Sequence, residues 1–488
     1  MWDEPNVTHM PAELMFDFPL SKTRAKVLQG KRHRQPTKEV WIEWEPSPPG
    51  GQYGEPPSKQ VPGETSCTVD HLDEIVAEFS NLYWSEDFSD VELVINETHR
   101  LKAHRVVLAL SSDVFRQMFS RGCWREGGQE EVALTEEESC VEHMDAFLQY
   151  FYTGAMSIHS GNLFPLLILT DKYNVRALRQ SCEQFALQSV CAGPVRRALA
   201  WWRTAEQIGF QELEEACRRY VALNGAVLAS SSDWLSLELE RLLILLQSDD
   251  LQVENEFQLF HAVKRWLLHK EAKEEDVQEG VLEHVRFPLM SPLEVYNACY
   301  VGMLPTPVRD AFLAESILIY KVNSLPIEAI GLYHDIQAPR FTMRMYTSAD
   351  FGCSRKIEGF NTAQSPSIDF TTKLFQSKIS WKIRSQFHQN QHFGSQSTAK
   401  PQHPTQYWMC RIDECNLNNE NHEHQLCVLM YRNVADTWLA CDYETYSIPH
   451  KQEMPLVALH EKFEKNKCVH KNTAFVHFIG KIRWVKFT

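Results

Sequence analysis

From position 71 the apolar residues fall into step. Leu72, Ile75, Val76, Phe79 and Leu82 recur at three- and four-residue intervals, which predicts an amphipathic helix of about three turns with one face in need of a partner. Asp90-Val91-Glu92-Leu93-Val94-Ile95 is a short β-branched run, Asn96-Glu97 a polar turn, and Thr98 to Leu101 a second short strand, so a hairpin is expected. Helical spacing returns from Ala103 to Leu110 and from Ser112 to Phe119, with Ser111-Ser112-Asp113 supplying side-chain acceptors for the second helix start. Beyond an acidic loop, Val132-Ala133-Leu134 precedes helical segments through Phe147-Leu148, Leu163 to Tyr173 and Leu178 to Val190.

The stretch 191–300 reads as helical throughout, with Ser248 and Asp249 as an N-cap ahead of a helix from Val253 to Leu268. After Pro305 the period drops to two. Ile379, Trp381 and Ile383 alternate with Ser380, Lys382 and Arg384, and similar runs occur at Leu426–Tyr431, Trp438–Cys441, Phe475–Ile479 and Ile482–Phe487. A Gln/His/Ser-rich stretch from Gln386 to Gln406 reads as a loop. Residues 1–68 mix charge with Pro and Gly and keep no period, which predicts a disordered leader. The expected fold is α+β and multidomain: an α/β domain over 69–190, an all-α domain over 191–300, a connector over 301–329 and a mainly-β, sandwich-like domain over 330–488.

A length of 488 residues leaves room for this many domains. The net charge of −15 disfavours a chain built to grip a phosphate backbone, so nucleic acid is not an expected partner. The basic cluster Lys31-Arg32-His33-Arg34 reads as a solvated tail, with nuclear import as the alternative. Thirteen cysteines, an odd number without a dense framework, fit reduced core thiols. The acidic start Met1-Trp2-Asp3-Glu4 lacks a signal-peptide pattern and no run is long enough to span a bilayer, so a cytoplasmic protein with no membrane partner is expected, its sequons at Asn6 and Asn96 unused.

The stretch Asp90-Val91, Lys102-Ala103-His104-Arg105-Val106-Val107-Leu108-Ala109, Ser112, Phe115, Met118-Phe119 and Tyr150-Phe151-Tyr152-Thr153-Gly154 resembles the BTB/POZ domain. Leu242-Leu243, Leu246, Ser248-Asp249-Asp250-Leu251, Glu256, Phe260, Val263, Trp266 and Val285-Arg286-Phe287-Pro288-Leu289 resemble the BACK domain that follows many BTB domains. The 188 residues after Tyr300 hold no Gly-Gly pair, which argues against kelch blades, and no C-x-x-C occurs for a zinc-finger array. Phosphate loops, nucleophile elbows and zinc-protease helices are also missing from the sequence, so an enzyme is not expected and no cofactor is implied.

The resemblance implies a homodimer whose interface includes Leu72, Ile75 and Phe79 of the first helix, with Asp90 and Arg105 as an oppositely charged pair beside it. Their bland alternative is a half-exposed surface pair. It also implies recruitment of a protein substrate to a cullin-3 ubiquitin ligase. Trp124 and Glu126 stand where cullin-binding relatives carry an apolar residue and a glutamate, against an ordinary acidic loop as the alternative. The different reading is a structural or signalling scaffold that dimerises without cullin. His104 is expected to be a hydrogen-bonded core group rather than a ligand or base. Cys410, Cys415, His422, His424 and Cys427 tempt a zinc assignment, but strand-like surroundings favour core thiols and a solvated loop, so no metal is expected. The C-terminal domain is expected to display a surface for a protein partner that the sequence does not name.

Overall fold

The computed structural model describes residues 71–120, 129–270, 280–300, 314, 338–358, 367–374, 377–388, 405–415, 422–456, 462–463, 465–471 and 473–484. Helix α1 (Leu72–Asn81) precedes strands β1 (Val91–Ile95) and β2 (His99–Ala103), which pair antiparallel. Their turn places Asn96 at φ 46° and Glu97 at φ 64°, the doubly left-handed geometry that matches strand twist. Helices α2 (Arg105–Ser111) and α3 (Asp113–Phe119) follow, then β3 (Glu131–Leu134), which adds parallel to β1. Ser112 caps α3 as its position predicts: its hydroxyl accepts the Phe115 N–H at 3.1 Å and donates to the Tyr173 carbonyl at 2.6 Å.

Helices α4 (Glu138–Thr153), α5 (Leu163–Lys172) and α6 (Arg176–Ser189) complete this part. Phe115 stacks on Tyr173 with centroids 4.7 Å apart and Phe147 meets Phe151 edge-on at 5.0 Å, so aromatic rings fill its centre. Glu136, just past β3, is a buried charge: its carboxylate accepts from Lys172 at 2.9 Å and from the Tyr173 hydroxyl.

The helical middle runs through α7 (Val195–Ile208), α8 (Gln211–Leu223), α9 (Gly225–Ser230), α10 (Ser232–Leu235), α11 (Leu239–Gln247), α12 (Glu256–His269) and α13 (Pro292–Tyr300). One helix start differs from the sequence expectation. Gln252-Val253 form a short strand, β4, and Asn255 rather than Ser248 caps α12, its side chain accepting the Gln258 N–H at 2.8 Å. The β-branched Val253 is drawn into pairing by a distant segment: β4 lies parallel to β5 (Met345–Tyr346).

Strand β5 leads into two antiparallel sheets. The first is ordered β11 (Thr437–Ser447), β10 (His422–Val434), β14 (Thr473–Trp484), with β13 (Val469–His470) and β6 (Gly352–Glu358) both pairing on β14. The second is ordered β12 (Met454–Leu456), β9 (Thr405–Cys415), β8 (Ser377–His388), β7 (Ile368–Leu374). They face each other as a sandwich. Trp381 of β8 lies fully buried over Gly480 of β14, where a Cβ would come within 2.7 Å of the ring, and Phe370 of β7 stacks on Phe478 of β14 at 6.2 Å. Ile379, Trp381 and Ile383 are all buried, as their alternation predicts. The expected loop from Gln386 to Gln406 is shorter than its composition suggests, because β8 and β9 stay paired out to His388 and Thr405.

The sandwich is fastened to the helical middle by charge. Glu256, at the start of α12, accepts the Arg286 N–H at 2.7 Å, the Tyr346 hydroxyl at 2.7 Å and Arg344 Nε at 3.3 Å. Arg344 further donates to the carbonyls of Ser248 at 2.7 Å and His284 at 2.8 Å, and it is fully buried. Nε, Nη1 and Nη2 each donate one of these bonds, and the planar fork suits a buried ion pair better than a lysine would.

Candidate protein-interaction surfaces

Helix α1 is held at its end: Tyr83 packs on Tyr152 of α4 with centroids 5.2 Å apart and its hydroxyl donates to the Asp145 carbonyl at 2.9 Å. Burial and the neighbouring Asp145 carboxylate push the Tyr83 hydroxyl pKa upward, keeping it a donor. The rest of the helix leaves its apolar side open. Ile75 is 64% exposed and Val76 45%, and Phe79 lies beside the Tyr152 ring, centroids 6.4 Å apart, while remaining exposed. Leu72 lies on the helix backbone, its side chain outside the described residues. Helix α2 also exposes an i, i+4 pair, Val106 at 63% and Leu110 at 68%.

Asp90 and Arg105 are brought together, though through the backbone. Asp90 Oδ1 accepts the Arg105 N–H at 2.8 Å at the first turn of α2, and Arg105 Nε donates to the Asp90 carbonyl at 3.1 Å. The guanidinium also reaches the Gln129 carbonyl and lies 5.0 Å over the Phe119 ring. In a single chain Asp90 is exposed and Arg105 half-buried. His104 beside them is buried with both ring nitrogens engaged, Nδ1 with the Tyr152 hydroxyl at 3.0 Å and Nε2 with the Asp87 carbonyl at 2.9 Å. A ring so occupied has no lone pair left for a metal or substrate. Trp124 and Glu126 lie outside the described residues.

Of the cysteine and histidine group, Cys410 lies on β9 in one sheet and Cys427 on β10 in the other. Burial pushes the Cys410 thiol up to about 12 and raises that of Cys427, whose sulfur meets Met345 Sδ at 3.4 Å. Raised thiols are the opposite of what thiolate ligation needs. The side chains of Cys415 and His422 lie outside the described residues, and among those described no three His, Cys, Asp or Glu side chains converge as a metal site. Also among them, no helix is long and apolar enough to cross a membrane.

Comparison with known families agrees with this order of domains. Residues 79–190 match the BTB/POZ domain, and residues 198–299 match the domain described as BTB And C-terminal Kelch, the BACK domain. The chain carries a BTB/POZ domain followed by a BACK domain. Similar proteins include BTB/POZ domain-containing protein 17 from Homo sapiens, 29% identical over 340 residues, covering 66% of this chain and 68% of that one. The Xenopus laevis protein of the same name is 25% identical over 332 residues, covering 65% and 68%. Kelch-like protein 26 from Mus musculus is 28% identical over 331 residues, covering 63% and 52%. These matches thus span about half to two thirds of the relatives' own lengths. In the strand-rich part, the BTB–BACK chain described here carries the two-sheet sandwich.

Proposed function

We propose that this chain is a cytoplasmic homodimeric adaptor, not an enzyme, that recruits a protein substrate to a cullin-3 ubiquitin ligase. The observation that carries the reading is the open apolar side of α1, with Ile75 and Phe79 exposed in a BTB domain that is otherwise packed around buried aromatics. A face of this kind calls for a partner, and a second copy supplies a self-complementary one. In the dimer Leu72, Ile75 and Phe79 pack across the interface, with Asp90 and Arg105 beside it. Trp124 and Glu126 serve as the cullin anchor and rim carboxylate, the BACK helices set a spacing, and the sandwich holds the substrate.

The test is a pair of variants in the full chain. Light scattering of the wild type at micromolar concentration is expected to give a dimer, and Ile75→Asp with Phe79→Asp a monomer. Trp124→Ala is expected to keep the dimer and weaken cullin pull-down by at least about thirtyfold, the loss that follows from truncating a buried aromatic anchor. A monomeric wild type overturns the dimer. A dimeric wild type that binds no cullin leaves the scaffold reading in its place.

A further inference from the structure

Between the helical middle and the sandwich lies a cavity of about 410 Å³, within the range of small-ligand clefts. Asp249 and Asp250 form one wall, Met343 and Met345 an apolar floor, and Gln425, Tyr443, Thr445 and Lys481 of the first sheet the other side. Lys481 sits on β14 opposite Gln425 of β10. It is only 9% exposed, and among the described residues its ammonium has no hydrogen-bond or ion-pair partner. The nearby carboxylates are otherwise occupied: Asp249 Oδ1 accepts from Arg286 at 2.6 Å and Asp250 Oδ1 from the Tyr443 hydroxyl at 2.8 Å.

The Lys481 stem is buried and its head opens into the cavity, where desolvation is offset by a counter-ion from outside. Burial lowers the Lys481 pKa, with Cys427, Asp249 and Asp250 acting against it. An entering anion restores the charged form. Two cations, Lys481 and the exposed Arg483, face the Asp249 and Asp250 carboxylates, so the lining is balanced in charge and suits a single negative charge better than a phosphate dianion. Amide and hydroxyl groups at Gln425 and Thr445 offer bonds to a peptide backbone, and the two methionines adapt to a terminal side chain.

We propose that this cavity captures the C-terminal carboxylate of a peptide through Lys481, with Gln425 and Thr445 bonding its last backbone groups. The assignment rests on the recruitment reading above and gives the substrate a chemistry: a free chain end.

The full chain is tested by retention of a random hexapeptide pool with free C-terminal carboxylates, beside the same pool amidated and beside acetate and glutarate. The wild type is expected to retain the free-acid pool at least tenfold over the amidated one. Lys481→Met is expected to lose that difference, and Lys481→Arg to keep part of it. The methionine variant is also expected to melt about 2 °C or more higher, since a desolvated ammonium has been removed. Equal retention of both pools, equal retention by Lys481→Met, or binding of the small acids without the peptides overturns the site. Dimerisation and cullin pull-down of the same variant separate this failure from a failure of the recruitment reading.

Discussion

Asn224 pairs edge-on with the backbone of Ala440: its side-chain oxygen accepts the Ala440 N–H at 2.8 Å and its amide donates to the Ala440 carbonyl at 2.7 Å. The same amide donates to the Tyr220 carbonyl at 2.9 Å, which orients it. Ala440 lies on β11, an edge strand of the first sheet, one residue before the register shift that leaves Cys441 unpaired against β10. A sheet edge is a row of unmet backbone groups. Asn224, at the junction of α8 and α9, meets two of them with a side chain of peptide geometry, and Leu223 beside it packs against Leu429 and Ala440.

Asn224→Ala is therefore expected to destabilise the full chain by about 2 kcal/mol or more, because two buried backbone groups of Ala440 lose their partners together. Urea denaturation measures it. A change below about 0.5 kcal/mol, the level of an ordinary surface substitution, refutes this account of the edge.

The pair Arg344 and Glu256 makes a second, coupled prediction. Arg344→Met leaves the Glu256 carboxylate buried with a neutral hydroxyl and one backbone N–H, and a loss of about 3–5 kcal/mol is expected. Glu256→Gln in the same chain removes the stranded charge, so the double variant is expected to lose clearly less than the two single losses combined. Strict additivity in that cycle rules out direct coupling across the seam.

What was legible beforehand follows the physics of periodicity. The three- and four-residue steps of α1 and the two-residue steps of β8 show which side of an element is apolar, and Ile75, Phe79, Trp381 and Ile383 stand on those sides. Glu136, Glu256, Arg344 and Lys481 were not legible. A charged residue in sequence reads as solvated, and its burial depends on partners up to about a hundred positions away, such as Arg344 for Glu256. For the same reason β4 was hidden, since Gln252-Val253 becomes a strand only when Met345-Tyr346 arrives. Polar strand ends hide too. The Gln386–His388 and Thr405–Tyr407 segments carry loop composition yet continue the β8–β9 ladder.

Acid sensitivity supplies the last prediction. His477 lies on β14 opposite Ser354 of β6, whose hydroxyl is 2.6 Å from Nδ1. Its Nε2 is buried without a hydrogen-bond partner among the described residues, close to Gly352, where a Cβ would approach it to 2.7 Å. Among the described residues no charged group offsets the burial of the ring, which lowers the His477 pKa to about 4. The unfolded chain takes up the proton at the ordinary 6.5, so protonation favours unfolding over the whole interval between these values. The stability this neutral ring contributes is fully present above 6.5 and is lost as pH falls toward 4. Its loss amounts to about 3 kcal/mol at the acid end. His477→Phe keeps a buried ring and removes the titration, while Ser354, which is exposed, turns to solvent. Urea midpoints of both proteins between about pH 7 and pH 4 are expected to converge or cross as the wild type weakens faster. Parallel pH profiles for the two proteins refute a buried neutral His477.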